Sequence, residues 1–144
     1  MKREKSIELL NMAVNDELLA VHQYMYFHFR CDDMGFDLVS SLFKRVAIQE
    51  MMHVEQLAER ILFLKGEVDM KVTGEVLKLT NVKDMLEQAV KMETETVDAY
   101  NKWANECAAH ADSVSKKLFE TLTAEEEVHQ DQFETELDNL EKFG

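Results

Sequence analysis

An all-α chain of four long helices packed as a bundle is predicted by three features of the sequence. The 144 residues include no proline and only four glycines, so the two strongest helix breakers are almost absent. Apolar residues recur at three- and four-residue spacing through four long segments. The connections between those segments run tight, long, tight, and that order decides how the helices stack.

The first helix is predicted over about residues 6–34, with Ile7, Leu10, Val14, Leu18, Val21, Met25 and Phe29 as its apolar stripe. Asp32, Asp33, Met34 and Gly35 form its stop and turn. The second covers about 36–65, through Leu42, Val46, Met52, Leu57, Ile61 and Leu64, and Gly66 ends it. Residues 66–80 show no clear period. Thr80 and Asn81 then offer an N-cap, with Asp84 in the first turn of a third helix over about 82–110. Ala111, Asp112 and Ser113 make a short turn, and the fourth helix runs from there to residue 143. Each helix is about 42 to 46 Å long at 1.5 Å per residue. The middle connection, about 15 residues, spans roughly 50 Å when extended. It can therefore carry the chain back along a whole helix, so the third helix starts at the end where the second started. Two antiparallel hairpins joined by one crossover follow, in a single domain over 1–144.

The formal net charge of −13 argues against nucleic acid as a partner, because phosphate binding needs a basic surface. No run approaches the apolar length of a membrane span. The chain opens on a charged and then amphipathic stretch rather than a leader, and Cys31 and Cys107 have no metal-type spacing. A cytoplasmic protein with two unrelated free thiols is expected.

Chemistry concentrates in two short motifs. Glu50 and His53 are three residues apart on the second helix, and Glu126 and His129 repeat the pattern on the fourth. Residues at that spacing share a helix face, so a carboxylate and an imidazole can reach one metal ion together. One such pair is weak evidence in a charged chain; the second copy is stronger. Glu17 on the first helix and Glu93 on the third complete the set. Glu17 and Glu50 are 33 residues apart, as are Glu93 and Glu126. The repeat extends past the acids: residues 17–24 (ELLAVHQY) match 93–100 (ETETVDAY) at Glu, Val and Tyr. Two hairpins related by a pseudo-twofold axis would bring four Glu and two His together at mid-bundle, the donor set of di-iron and di-manganese carboxylate proteins. Burying four carboxylates without cations costs several kcal/mol each, at roughly that order, so these groups are either exposed or hold metal. Glu125 and Glu127 lack the full spacing and are assigned to solvated faces. Tyr24 shares Glu17's stripe and is expected to hydrogen-bond a ligand carboxylate or donate an electron. His22, His28, His110 and Trp103 are read as ordinary surface, capping and packing residues.

These segments give the sequence its likeness to a known family. Residues 15–24 (NDELLAVHQY), 50–53 (EMMH), 59–66 (ERILFLKG) and 125–137 (EEEVHQDQFETEL) resemble bacterioferritin, and the likeness covers nearly the whole chain. It implies a ferritin-like fold and a ferroxidase with two iron ions per subunit, at Glu17, Glu50, His53, Glu93, Glu126 and His129. In that resemblance Glu50 and Glu126 bridge the irons. Iron ions and dioxygen or hydrogen peroxide are the implied partners. It also implies haem b shared between two subunits, with Met51 of each as ligand; packing is the alternative role for Met51. The family's 24-subunit shell uses a short fifth helix that this chain lacks, so a 12-subunit shell like that of the Dps-like relatives is the other expected homo-oligomer, with a dimer as building block. Two other functions remain open. One is a di-metal peroxidase, catalase or oxygenase without storage; the other is a structural dimer or shell whose site holds zinc or stays empty.

Overall fold

The computed structural model describes residues 3–143 and consists of four helices: α1 (Glu4–Asp33), α2 (Asp37–Phe63), α3 (Val82–Ala109) and α4 (Ser113–Phe143). The bundle is the one expected. α1 packs along α2, and α3 along α4. At one end Arg3 donates to the carbonyls of His110 and Ala111, and Ser6 meets Cys107. At the other end Cys31 meets Met85. The start of α1 therefore lies beside the end of α3, and the crossover does return the chain along the bundle.

Three helices end the same way. The amide of Phe36 donates to Cys31 O, that of Gly66 to Ile61 O and that of Asp112 to Cys107 O. Each closes a Schellman turn around one residue with positive φ: Gly35 (82°), Lys65 (68°) and Ala111 (58°). α2 is stopped at Lys65, the left-handed residue, rather than by Gly66 as expected; a Cβ on Gly66 would sit 2.7 Å from the Ile7 side chain, which would have to shift. Asn81 caps α3 through its side-chain oxygen, which accepts from the Asp84 amide at 3.2 Å. Asp112 caps α4 by accepting from the Ser115 amide at 3.1 Å, and it pairs with Arg60 at 2.7 Å.

The crossover, aperiodic in sequence, is laced to α1 by side chains. Asn11 donates to Glu67 O and accepts from the Asp69 amide. Thr73 Oγ1 donates to Asp16 at 2.7 Å. Gln23 both donates to Leu77 O and accepts from its amide, at 3.0 and 2.8 Å. That pair imitates a peptide group and satisfies a segment that has no ladder of its own.

The core is two apolar clusters, one toward each end. Leu10, Val14, Leu57, Ile61, Trp103 and Phe119 anchor the first; Tyr24, Phe27, Phe43, Met85, Leu86 and Phe133 anchor the second. Trp103 packs in the core, against Tyr100 and Phe119. His28 ties α1 to α2 through Ser40, and His22 is exposed. Two stripe positions are corrected. Phe29 is 60 % exposed and Met52 54 % exposed, so neither belongs to the core. Cys31 and Cys107 are both buried and free, one in each cluster.

Candidate metal centre

Between the two apolar clusters lies a polar layer. Glu17 follows Ala13 and Val14 on the buried stripe of α1 and precedes Ala20 and Tyr24. Glu50 and His53 continue the stripe of Val46, Ala47 and Leu57 on α2. Glu93 stands between Ala89 and Tyr100 on α3, and Glu126 and His129 between Thr123 and Phe133 on α4. Helical periodicity alone thus aims all six inward. None is more than 3 % exposed.

Their donor atoms form two overlapping groups, Glu17, Glu50, His53 and Glu126, and Glu50, Glu93, Glu126 and His129. Within each group the atoms lie no more than 4.8 Å apart. Glu50 and Glu126 belong to both, so each could offer oxygens to two cations at once. All six residues singled out from sequence are brought together.

The electrostatics are those of a site built for cations. Burial and the charge of Glu126 push the Glu17 carboxyl up to about 7. Burial and Glu50 push Glu93 well above the usual carboxylate range. Burial pulls on both histidines in the opposite sense, but their carboxylate neighbours win: His129 rises to about 9 through Glu126 and Glu50, and His53 rises further through Glu126, Glu17 and Glu50. His53 Nδ1 lies 2.8 Å from Glu17, 2.8 Å from Glu126 and 3.1 Å from Glu50. A proton there does part of what a metal ion would do. Even so, buried Glu50 Oε1, Glu93 Oε2, both oxygens of Glu126 and His129 Nδ1 have no hydrogen-bond partner. Orphaned buried polar atoms are rare and call for a ligand. Four carboxylate charges match two divalent ions, and oxygen and nitrogen donors suit iron or manganese. The residues fit a pair of such ions.

A layer behind the donors holds them. The Tyr24 hydroxyl donates to Glu93 Oε1 at 2.8 Å, as the first of its two expected roles requires. His129 Nε2 donates to Gln49 Oε1 at 2.7 Å, which leaves Nδ1 facing the carboxylates. His53 Nε2 has Glu125 Oε1 at 3.5 Å. Glu125 and Glu127 are both exposed, as expected, though Glu125 also faces the His53 ring. Gln49, and the place of Glu125 behind His53, were missed from sequence. The signal that would have found them is the repeat itself: they are 76 residues apart, like Glu17 and Glu93, Glu50 and Glu126, His53 and His129, and Tyr24 and Tyr100. Met51 lies outside this centre, 54 % exposed on α2.

A four-helix bundle with one long crossover and a buried core of four glutamates and two histidines is the architecture of the ferritin-like di-metal carboxylate proteins. The ferritin-like domain family matches residues 7–143. Bacterioferritin from Brucella melitensis is 38 % identical over 146 residues, covering 100 % of this chain and 90 % of that protein. Bacterioferritin from Desulfovibrio desulfuricans is 35 % identical, over 99 % of this chain and 80 % of its own. The crystal structure of the latter, described for its diiron site in different catalytic states, superposes with a TM-score of 0.96 over 98 % of this chain and 82 % of that one. Rhodobacter capsulatus bacterioferritin, solved with a metal-free dinuclear site and haem iron in a crystallographic special position, gives 0.95 at 31 % identity, covering 100 % and 91 %. The chain belongs to the bacterioferritin family. Among the described residues, no helix is long and apolar enough to cross a membrane.

Proposed function

We propose that this chain is an iron-storage and detoxification subunit: it oxidises Fe(II) to Fe(III) at the centre inside each bundle, with dioxygen or hydrogen peroxide as oxidant. One observation carries the reading: two buried four-donor groups share Glu50 and Glu126. In this reading Glu17 and His53 are the end-on ligands of one iron, and Glu93 and His129 those of the other. Two irons held side by side can deliver two electrons to one oxidant molecule. The protein's part is to bind, orient and shield. Tyr24 fixes Glu93, Gln49 fixes His129, and the apolar clusters above and below keep bulk water from the layer. His53 and His129 hold protons before the substrate enters and must release them as it binds.

The family likeness supports a homo-oligomeric shell for storage, of 12 or 24 subunits, and the two buried free thiols support a cytoplasmic setting. Haem b belongs to the same reading. Met51 and Ile48, one turn apart and both exposed on α2, offer a thioether and an apolar wall on an outer face. One chain supplies one such methionine, so the group would sit between two copies.

Stopped-flow absorbance after mixing the assembled protein with Fe(II) in aerobic buffer tests the activity. A fast ferric phase is expected, with uptake of many irons per subunit. Glu50→Ala and Glu126→Ala should abolish the fast phase, since each removes a donor from both halves. Saturation near two irons per subunit would instead favour a di-metal redox enzyme without storage. Absence of any fast phase would remove the oxidase reading altogether.

A further inference from the structure

One half of the centre is braced from behind by two short hydrogen bonds; the other has only looser contacts behind it. Glu93 accepts its 2.8 Å bond from Tyr24, and His129 donates its 2.7 Å bond to Gln49. Their inward atoms stand open: His129 Nδ1 is 3.4 Å from Glu50 Oε1, 3.8 Å from Glu126 Oε2 and 3.9 Å from Glu93 Oε1. Donors that each sit about 2.1 Å from one ion stand roughly 3 to 3.5 Å apart, so this half is open enough to admit an ion without its donors first separating. The other half is closed on itself. His53 Nδ1 contacts three carboxylates at 2.8 to 3.1 Å. Behind it His53 Nε2 has no hydrogen-bond partner, and the buried hydroxyl of Tyr100, the counterpart of Tyr24, faces the Glu17 carboxylate without the close, well-aligned bond that Tyr24 makes to Glu93. Filling this half means breaking the contacts between its own donors.

We propose that Gln49 is a positioning residue that, with Tyr24, makes the Glu93–His129 half of the centre the first to take an ion, and the Glu17–His53 half the second. The inference rests on the two-metal reading above. Preorganised donors bind more tightly because less ordering is left to do at the moment of binding. One effect opposes this order: the Glu125 carboxylate lies 3.5 Å behind His53 and would favour a cation there. Its side chain is half exposed, so solvent screens that charge, and the geometry of the braced half decides. The ion beside His53 is then the more weakly held and more readily exchanged of the two.

Co(II), which binds the same donor types and does not turn over, is the probe. The assembled full-length protein is given one Co(II) per subunit without oxygen, crystallised, and read by anomalous scattering at the two positions. The expected signal is concentrated between Glu93 and His129. Gln49 is partly exposed, so Gln49→Ala should keep the fold. It should even out or reverse the two occupancies and weaken first-ion binding about 10- to 100-fold by calorimetry. Gln49→Glu should keep the wild-type order, because a carboxylate oxygen accepts the same ring N–H. Tyr24→Phe, which deletes only the hydroxyl, should shift the occupancies in the same direction as Gln49→Ala. Equal occupancy in the wild type, a first ion beside His53, or wild-type order retained in both Gln49→Ala and Tyr24→Phe overturns the proposal and leaves the centre standing. Cobalt at neither position overturns the two-metal reading as well.

Discussion

Glu17 and His129 both hold protons more tightly than usual, for opposite physical reasons. Burial raises Glu17 from 4.5 to about 7 because it disfavours the carboxylate. His129 goes from 6.5 to about 9 against burial, because the Glu126 and Glu50 carboxylates stabilise its imidazolium. Each folded value lies above the unfolded one, so each contributes stability that is full below the unfolded pKa and lost as pH rises through the folded one. The metal-free fold should therefore weaken between about pH 4.5 and 9, first through Glu17 and then through His129, while cations displace the same protons more easily. The melting-temperature gain on adding Mn(II) should grow across that range; a gain that stays constant would contradict this. At this scale the six donors were legible because Glu-x-x-His spacing and its 33-residue echo are direct consequences of helical geometry. Glu125 is exposed as expected; that it also faces the His53 ring depends on how two helices pack and was not legible. Phe29 and Met52 were misplaced because a three-to-four spacing marks a helix without saying which of two adjacent faces points inward.

Helix ends are decided by single residues in unusual backbone conformations. Lys65 and Ala111 occupy the left-handed region at φ 68° and 58°, where a Cβ is a cost that Gly35 avoids at the first turn. Ala111→Gly is expected to stabilise the chain by about 1 kcal/mol, a shift of a few degrees in thermal melting, since relief of that conformation exceeds the added freedom of the unfolded chain. An unchanged or lower melting temperature would show that the turn carries no strain. The four helices and the capping roles of Asn81 and Asp112 were readable from local spacing. The route of the crossover was readable only as a length. Its lacing depends on Asn11, Asp16 and Gln23, which in sequence are three unremarkable polar residues on α1, and no local rule connects them to partners more than 50 positions away.

At the level of the whole molecule, the likeness to bacterioferritins and the exposed apolar residues Ile48, Met51 and Met52 on α2 point to assembly. Native mass spectrometry should find about 12 or 24 copies built from dimers, in line with the closed symmetry usual for such oligomers. A lone monomer would contradict a storage shell. Copy number could not be read from one chain, because it depends on angles between surfaces that never meet within a single bundle. The layout of the centre has one more consequence. The first hairpin owns Glu17, Glu50 and His53, and the second owns Glu93, Glu126 and His129, yet each four-donor group borrows at least one member from the opposite hairpin. The cargo is thus also mortar. If a protease severed the crossover, loaded irons would rivet the two pieces together, and stripping them with a chelator would leave only the apolar clusters to hold the halves.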